Sequence, residues 1–315
     1  MSQGSGPVMI RRGFAAALGA LARHGVPRVL LRFGRSPGDA MLCTAVLHEL
    51  RRRGKDRLWM ESDLSPLLRL NPDVDVVIPY GRRTRKLYRL AGARTIFPEY
   101  APHDQEADFS TPPDSHIISC MCRHVLSGPV RLRPYLYLSD EERDAAGYAA
   151  GTVVMQSSAL SAAQPMANKD WGVARMQEVA RLLAPVHRLI QIGAPADPPL
   201  HGVEDRRGLP LRDSAAVLAR AACFVGMVGF GMHLARAVEC RAVIVYGGRE
   251  APWQSGYTAN ENLDSAVSCA PCWQWNRCDH HRRCLTEILP RDVTQAVARQ
   301  MARTGEPLPV ASETI

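Results

Sequence analysis

The sequence contains no run of about 18 apolar residues, so no segment is long enough to cross a bilayer as a helix. Lysine is nearly missing: Lys55, Lys86 and Lys169 are the only three among 39 lysines and arginines. Aromatic residues make up 6% of the chain. The basic run Arg82, Arg83, Arg85, Lys86 and Arg89 has few of them interleaved, and no groove-reading motif accompanies it. A solvated helix face is therefore expected there, and nucleic acid is not expected as a partner. Also missing is the G-x-G-x-x-G of dinucleotide enzymes. The glycine turn reads Gly226-x2-Gly229-x-Gly231, the reverse order, which argues against an NAD-dependent dehydrogenase.

What is present fits a globular protein. Hydrophobic residues make up 46% and charged residues 22%. At 315 residues the chain exceeds the size of one ordinary core, which predicts two domains. The net charge of +8 suits a phosphorylated small molecule, an anionic membrane surface or nucleic acid, and does not choose among them. Arg11-Arg12-Gly13-Phe14 faintly resembles an export signal, but the apolar stretch after it is short and Arg23-His24-Gly25 stands where a cleavage site belongs. The expectation is a cytoplasmic protein with reduced thiols. Ile10, Phe14, Leu18 and Leu21 recur at helical spacing, which predicts an amphipathic helix packed on the first domain.

The alternation of apolar runs and helical periodicity occurs twice. In the first half, strands are expected over 29–33, 57–61 and 74–79, with helices over 40–53 and 64–70. A glycine turn, Gly34-Arg-Ser-Pro-Gly-Asp39, follows the first strand. After an extended connector over 131–139 and an acidic helix over 140–149, the pattern restarts. Strands are expected over 152–156, 188–192, 223–225 and 242–246, and helices over 173–183, 213–221 and 232–238. The fold class is thus α/β, with two facing Rossmann-like domains of parallel sheet. The expected domains are 1–138 and 139–290, followed over 291–315 by a helix lying back across the first half and a loose tail.

Several residues can carry chemistry. Asp39 lies beyond the carboxyl end of the first strand, where open α/β sheets place ligands; it suits a general base, a helix cap, or both. Lys169, in the loop Ala167-Asn-Lys-Asp-Trp171, can reach a phosphate or be an ordinary exposed loop lysine. The turn before His233 offers backbone N–H groups and a helix N-terminus to an anion. His233 itself reads equally well as a donor to phosphate and as a satisfied core histidine. Cys43, Cys120, Cys122, Cys223 and Cys240 read as buried hydrophobes. Cys269-x2-Cys272-x5-Cys278-x5-Cys284 matches an all-thiolate zinc or iron site, with disulfides or reduced thiols as the alternatives.

Taken together these segments resemble glycosyltransferase family 9, the bacterial heptosyltransferases. The residues that carry the likeness are 30–50 with Gly38-Asp39, Asn168-Lys-Asp-Trp171, 224–237 with His233, and Gly247-Gly-Arg-Glu-Ala-Pro-Trp253. The four-cysteine segment 260–288 looks like the branch that includes the autotransporter heptosyltransferases, although its spacing is tighter. The resemblance implies a GT-B fold and inverting transfer of a heptose or related sugar from an ADP-sugar to an acceptor hydroxyl. It implies no cofactor at the reacting bond, and a structural zinc or iron at Cys269, Cys272, Cys278 and Cys284. The acceptor is a glycan, a protein hydroxyl or a small natural product, and a homo-oligomer is compatible. Carried over by position, Asp39 matches the catalytic base and Lys169 the diphosphate-binding lysine. Leu209 falls at the adenine, Asp197 at the ribose, and Gly229, Phe230, Gly231, Met232 and His233 at the phosphates. One departure stands out: the family commonly has Asp, then Ser or Thr, then Gly where this chain has Val228, Gly229 and Phe230. The alternative function is a decayed transferase fold that serves as a binding or assembly component with a structural metal knot.

Overall fold

The computed structural model describes residues 6–33, 36–104, 106–147 and 151–315. Gly34 and Arg35 of the first turn, Ala149 of the acidic helix, and the side chains of Arg82 and Arg83 lie outside the described residues. Contacts divide the chain into two units. One is Met1–Tyr100 with Ile118–Ser139 and Ser312–Ile315; the other is Ala101–Ile117 with Asp140–Ala311. This division differs from the expected one, because 101–117 and the last helix group with the second unit.

The first unit is built on a parallel sheet in the order Val8–Met9, Val76–Ile78, Leu58–Glu61, Val29–Arg32, Thr95–Ile96. The three central strands are buried along their whole length, as a parallel sheet covered on both faces requires. The helix after the Val29 strand, Pro37–Arg52, begins three residues before the expected position 40. The reason is local. Ser36 caps it, accepting the Asp39 amide N–H at 3.5 Å, and Pro37 takes the first helical position. Asp39 therefore lies in the first turn and is not the cap.

The N-terminal helix Phe14–His24 does pack on this unit, but through only part of the expected stripe. Ala17 and Ala20 are its buried residues, Ile10 and Leu21 pack beside them, and Phe14 and Leu18 are exposed. Trp59 and Tyr88, edge to face at 5.7 Å, fill the space beneath, so small side chains rather than large ones fit under the helix. The tail is not loose: Ser312–Thr314 pairs antiparallel with Pro129–Arg131. Gly128 and Ile315 also exchange backbone hydrogen bonds of 2.8 and 3.3 Å.

In the second unit the order is Glu204–Asp205, Leu189–Gln191, Val153–Met155, Cys223–Met227, Ala242–Val245, Glu261–Leu263, all parallel. Numbered along the chain this is 3-2-1-4-5-6, the Rossmann order. The two outermost strands are short and polar, so alternation and apolar runs do not reveal them. The last helix, Pro290–Ala302, packs into this unit and not across the first half. Its Val293, Ala296 and Val297 join Val179, Leu183, Val243 and Val245 in one core. The strand order reverses between Val153–Met155 and Cys223–Met227, and in the first unit between Val29–Arg32 and Thr95–Ile96. Ligands of open α/β sheets bind beyond the carboxyl ends of such strand pairs.

Candidate active site

The second unit's reversal point is occupied by the glycine turn. The Cys223–Met227 strand is wholly buried and ends at Val228, whose N–H donates to the Val245 carbonyl at 3.3 Å. Gly229 then turns with φ 151°, a backbone conformation that disfavours a side chain, and caps the helix Phe230–Ala237. The N–H groups of Phe230, Gly231 and Met232 open that helix and have no carbonyl four residues back within it, so they point outward with the positive end of the helix dipole. A Cβ on Gly229 would meet nothing within 4 Å, so the space above the turn is open.

The loop that carries Lys169 lies against the end of the same strand, where the Trp171 N–H meets Met227. The loop is fixed on several sides. Asp170 accepts from the Ser158 hydroxyl and the Ala159 N–H, both at 2.8 Å, and the Trp171 N–H donates to Met227 Sδ at 3.3 Å. Trp171 is 1% exposed, and its indole N–H donates to the carbonyls of Leu285 and Ile288. Gly247 permits the final approach: a Cβ there would lie 2.0 Å from the Asn168 carbonyl. The Lys169 side chain is 17% exposed and ion-pairs with Glu250, so it is not the ordinary solvated loop lysine.

Glu250 was not among the residues singled out from the sequence. Burial pushes its carboxyl up, but the charges of Lys169 and Arg249 and hydrogen bonds from Lys169 and Ser255 outweigh that and hold it at about 2. The signal that could have found it is its position, an acid four residues beyond Tyr246 at the carboxyl edge of the sheet. Deeper still, His233 is 5% exposed and shares a 2.6 Å hydrogen bond with the Tyr257 hydroxyl. Burial, with Lys169 and His116 also opposing protonation against the pull of Glu250, brings its imidazole down to about 3. It is a neutral core histidine, and its helix start rather than its ring faces the turn.

The other expected donor residues lie in the loops that follow the outer strands Leu189–Gln191 and Glu204–Asp205. Asp197 is 3% exposed and its carboxylate accepts the Ala194 N–H at 2.9 Å, closing its own turn. Leu209 is half-buried between the strand Glu204–Asp205 and the helix Leu211–Arg220. The adjoining Gly208 N–H donates to Gly193 at 2.9 Å, which holds the two loops together.

In the first unit, Asp39 sits half-buried at that sheet's own reversal point. Tyr100, from the segment after the Thr95–Ile96 strand, donates its hydroxyl to Asp39 Oδ1 at 2.9 Å. Phe33 and Phe97 stack at 4.8 Å between the same two strand ends. One turn below, burial and then the Asp39 charge push the Cys43 thiol well up. Tyr100 was also missed, since nothing in local spacing ties it to a residue 61 positions earlier.

The four clustered cysteines line one cavity of about 220 Å³, together with Asn168 and Gly248. Burial and then neighbouring groups, the other thiols of the cluster among them, raise the Cys272 and Cys284 thiols. A Cβ on Gly248 would meet Cys284 Sγ at 2.8 Å. Among the described residues no group of three or more ligand side chains is already arranged around a metal position. The donor set nevertheless suits a thiophilic ion, because all four thiols share the cavity and none is in a disulfide. The same loop fastens the loops that carry Lys169 and Glu250: the N–H groups of Cys272 and Trp273 donate to Gly248 and Arg249 at 2.6 and 2.8 Å, and Asn168 N–H donates to Trp275 at 3.0 Å. The five remaining cysteines are buried, as expected.

No family model and no curated protein matches the chain. Solved structures do. A glycosyl transferase of family 9 from Veillonella parvula superposes with a TM-score of 0.64 at 14% identity, over 89% of this chain and 98% of that one. The iron-containing dodecameric glycosyltransferase TibC of enterotoxigenic E. coli gives 0.64 at 18%, over 88% and 76%. The E. coli ADP-heptose lps heptosyltransferase II gives 0.64 at 14%, over 88% and 99%. At these identities the likeness is one of fold, and the fold of this chain is that of the family 9 glycosyltransferases.

Proposed function

We propose that the protein is a heptosyltransferase-like enzyme that moves a heptose or related sugar from an ADP-sugar to an acceptor hydroxyl with inversion. What supports this reading is that the Lys169 loop, with Lys169 paired to Glu250, packs on the end of the strand that runs into the N-terminus of Phe230–Ala237 at the second unit's strand-order reversal, a cationic and N–H-rich region suited to a diphosphate. Two proteins of this fold are described in complex with ADP-heptose or ADP. In the reaction, negative charge builds on the departing diphosphate. The Lys169 ammonium and the N–H groups of Phe230, Gly231 and Met232 are preorganised to stabilise it. Asp39 takes the acceptor proton, with the Tyr100 hydroxyl orienting its carboxylate. Glu250 brings Lys169 a carboxylate in a site where Val228 supplies none, and so holds the ammonium in place. Leu209 offers the adenine an apolar contact. Asp197 serves by shaping its turn, because its carboxylate already has a backbone partner.

A metal at Cys269, Cys272, Cys278 and Cys284 would crosslink the loop that buttresses Lys169 and Glu250, and would supply no chemistry at the reacting bond. Calorimetric titration with ADP tests the reading. Wild-type protein binds, and Lys169→Met binds about 10-fold or more weakly, the effect of a charge-assisted hydrogen bond worth roughly 1.5–3 kcal/mol. No binding of any nucleotide by the wild type would end the transferase reading in favour of an assembly component.

A further inference from the structure

Of the twelve large apolar side chains exposed among the described residues, five lie on three elements of the first unit: Val8, Met9, Phe14, Leu18 and Leu90. Val8 and Met9 form the edge strand, Phe14 and Leu18 stand one turn apart on the helix Phe14–His24, and Leu90 ends the helix Arg82–Leu90 at 85% exposure. These are not scattered positions. The two helices pack against each other, and their buried residues, among them Ala17, Ala20 and Tyr88, enter one core cluster. The outward sides of these two packed helices therefore adjoin.

The two helices themselves carry charge of one sign, and the nearby acids, Asp75 beside the edge strand and Asp63 beside Arg12, are each paired with an arginine. Neither helix contains an aspartate or glutamate. Arg11 and Arg23 flank the apolar pair on the first helix, and Lys86 and Arg89 are exposed on the second. Arg12 is partnered by Asp63 at 2.7 Å and is not counted. Exposed apolar side chains ringed by cations, with no acid in either helix, lack the mixed charge that keeps an ordinary solvated face in water. They meet the two requirements of an interfacial anchor: side chains that enter the acyl boundary and basic residues that sit at anionic headgroups.

We propose that this face docks the protein on an anionic phospholipid bilayer. Phe14, Leu18 and Leu90 enter the interface, while Lys86, Arg89, Arg11 and Arg23 lie along the headgroups. Among the described residues no helix is long and apolar enough to cross the bilayer, and the proposal stands independently of the sugar-transfer reading.

Co-sedimentation with vesicles tests it, using the full-length protein. Wild type pellets with vesicles that contain phosphatidylglycerol, stays in solution with pure phosphatidylcholine, and is released by high salt. Charge reversal at the two exposed cations, Lys86→Glu with Arg89→Glu, weakens partitioning by at least about 30-fold, the factor that two basic residues near an anionic surface supply. Phe14→Ser with Leu18→Ser weakens it by about 10-fold. All four positions are solvent-facing, and an unchanged melting temperature verifies folding. Arg291→Glu with Arg303→Glu, the same change in net charge at the two ends of the last helix, leaves partitioning unchanged. The proposal is overturned if wild type fails to pellet with anionic vesicles, if it pellets equally with neutral ones, or if the control pair loses as much binding as the Lys86 and Arg89 pair. Retained binding in the Phe14 and Leu18 variant also overturns it.

Discussion

Asp39 and His233 show how differently two singled-out residues are used. The Asp39 carboxylate accepts from Tyr100 and lies in the first turn of its helix, where the dipole favours negative charge. An Asp39→Asn variant keeps the shape and the turn but cannot accept the proton. Sugar transfer should fall by about 10²–10⁴-fold with the melting temperature unchanged, and transfer at the wild-type rate would remove the assignment. His233 is held neutral, with its pKa lowered from 6.5 to about 3, and Glu250 is held ionised, lowered from 4.5 to about 2. Both folded values lie below the unfolded ones, so the unfolded chain binds more protons as pH drops. The His233 contribution is complete above about pH 6.5 and is lost as pH falls towards 3; that of Glu250 is complete above 4.5 and is lost towards 2. Melting temperature measured from pH 8 downward should therefore begin to fall near pH 6.5 in the wild type, and less steeply in His233→Gln. Parallel curves for the two proteins would contradict the buried, neutral assignment. Lys169 was legible because lysine is so scarce here. Its partner was not, since a glutamate 81 positions later meets it only through the Gly247 approach.

At the scale of elements, the cysteine loop does more than close on itself. Through Cys272 and Trp273 it holds the strand-end loop that carries Glu250, and through Trp275 it holds Asn168 beside Lys169. The Arg249 guanidinium lies 4.5 Å over the Trp273 ring and donates to Ser110 at 3.2 Å, so the 101–117 excursion is tied to the same structure. Loss of the proposed metal crosslink should therefore weaken the proposed nucleotide binding without touching a residue assigned to the ligand. In Cys272→Ser, or after chelation, ADP affinity should drop while far-ultraviolet circular dichroism stays near wild type, and elemental analysis should show one zinc or iron per native chain and none in the variant. Full ADP affinity in metal-free protein would show that the loop needs no metal to hold its neighbours. Spacing alone revealed the four thiols. It did not reveal what they brace, because the hydrogen bonds that do so run from residues 272–275 back to 168, 248 and 249.

Across the whole molecule, the C-terminal tail is tied down where composition suggested looseness. Arg236 donates to the Pro309 carbonyl at 3.0 Å and Arg241 to that of Glu306 at 2.5 Å, both from buried guanidinium groups, and Ser312–Thr314 completes a two-stranded ladder. Deleting 306–315 leaves those cations without their carbonyls, at a cost of roughly 1–3 kcal/mol each, and should lower the melting temperature by roughly 5–10 °C in a thermal melt. A truncated chain that melts like the full one would make the tail dispensable. By itself the sequence determined the α/β class, the central buried strands, most of the helices, and the glycine turn, lysine loop and cysteine cluster. Each of these is written in local periodicity, in residue scarcity or in short-range spacing. Only the tertiary structure decided the outer strands, the membership of the last helix and the tail, the inward turn of His233, and the pairing of Lys169 with Glu250 and of Asp39 with Tyr100. Those depend on which distant segments pack together, and packing between residues tens of positions apart leaves no periodic trace along the chain.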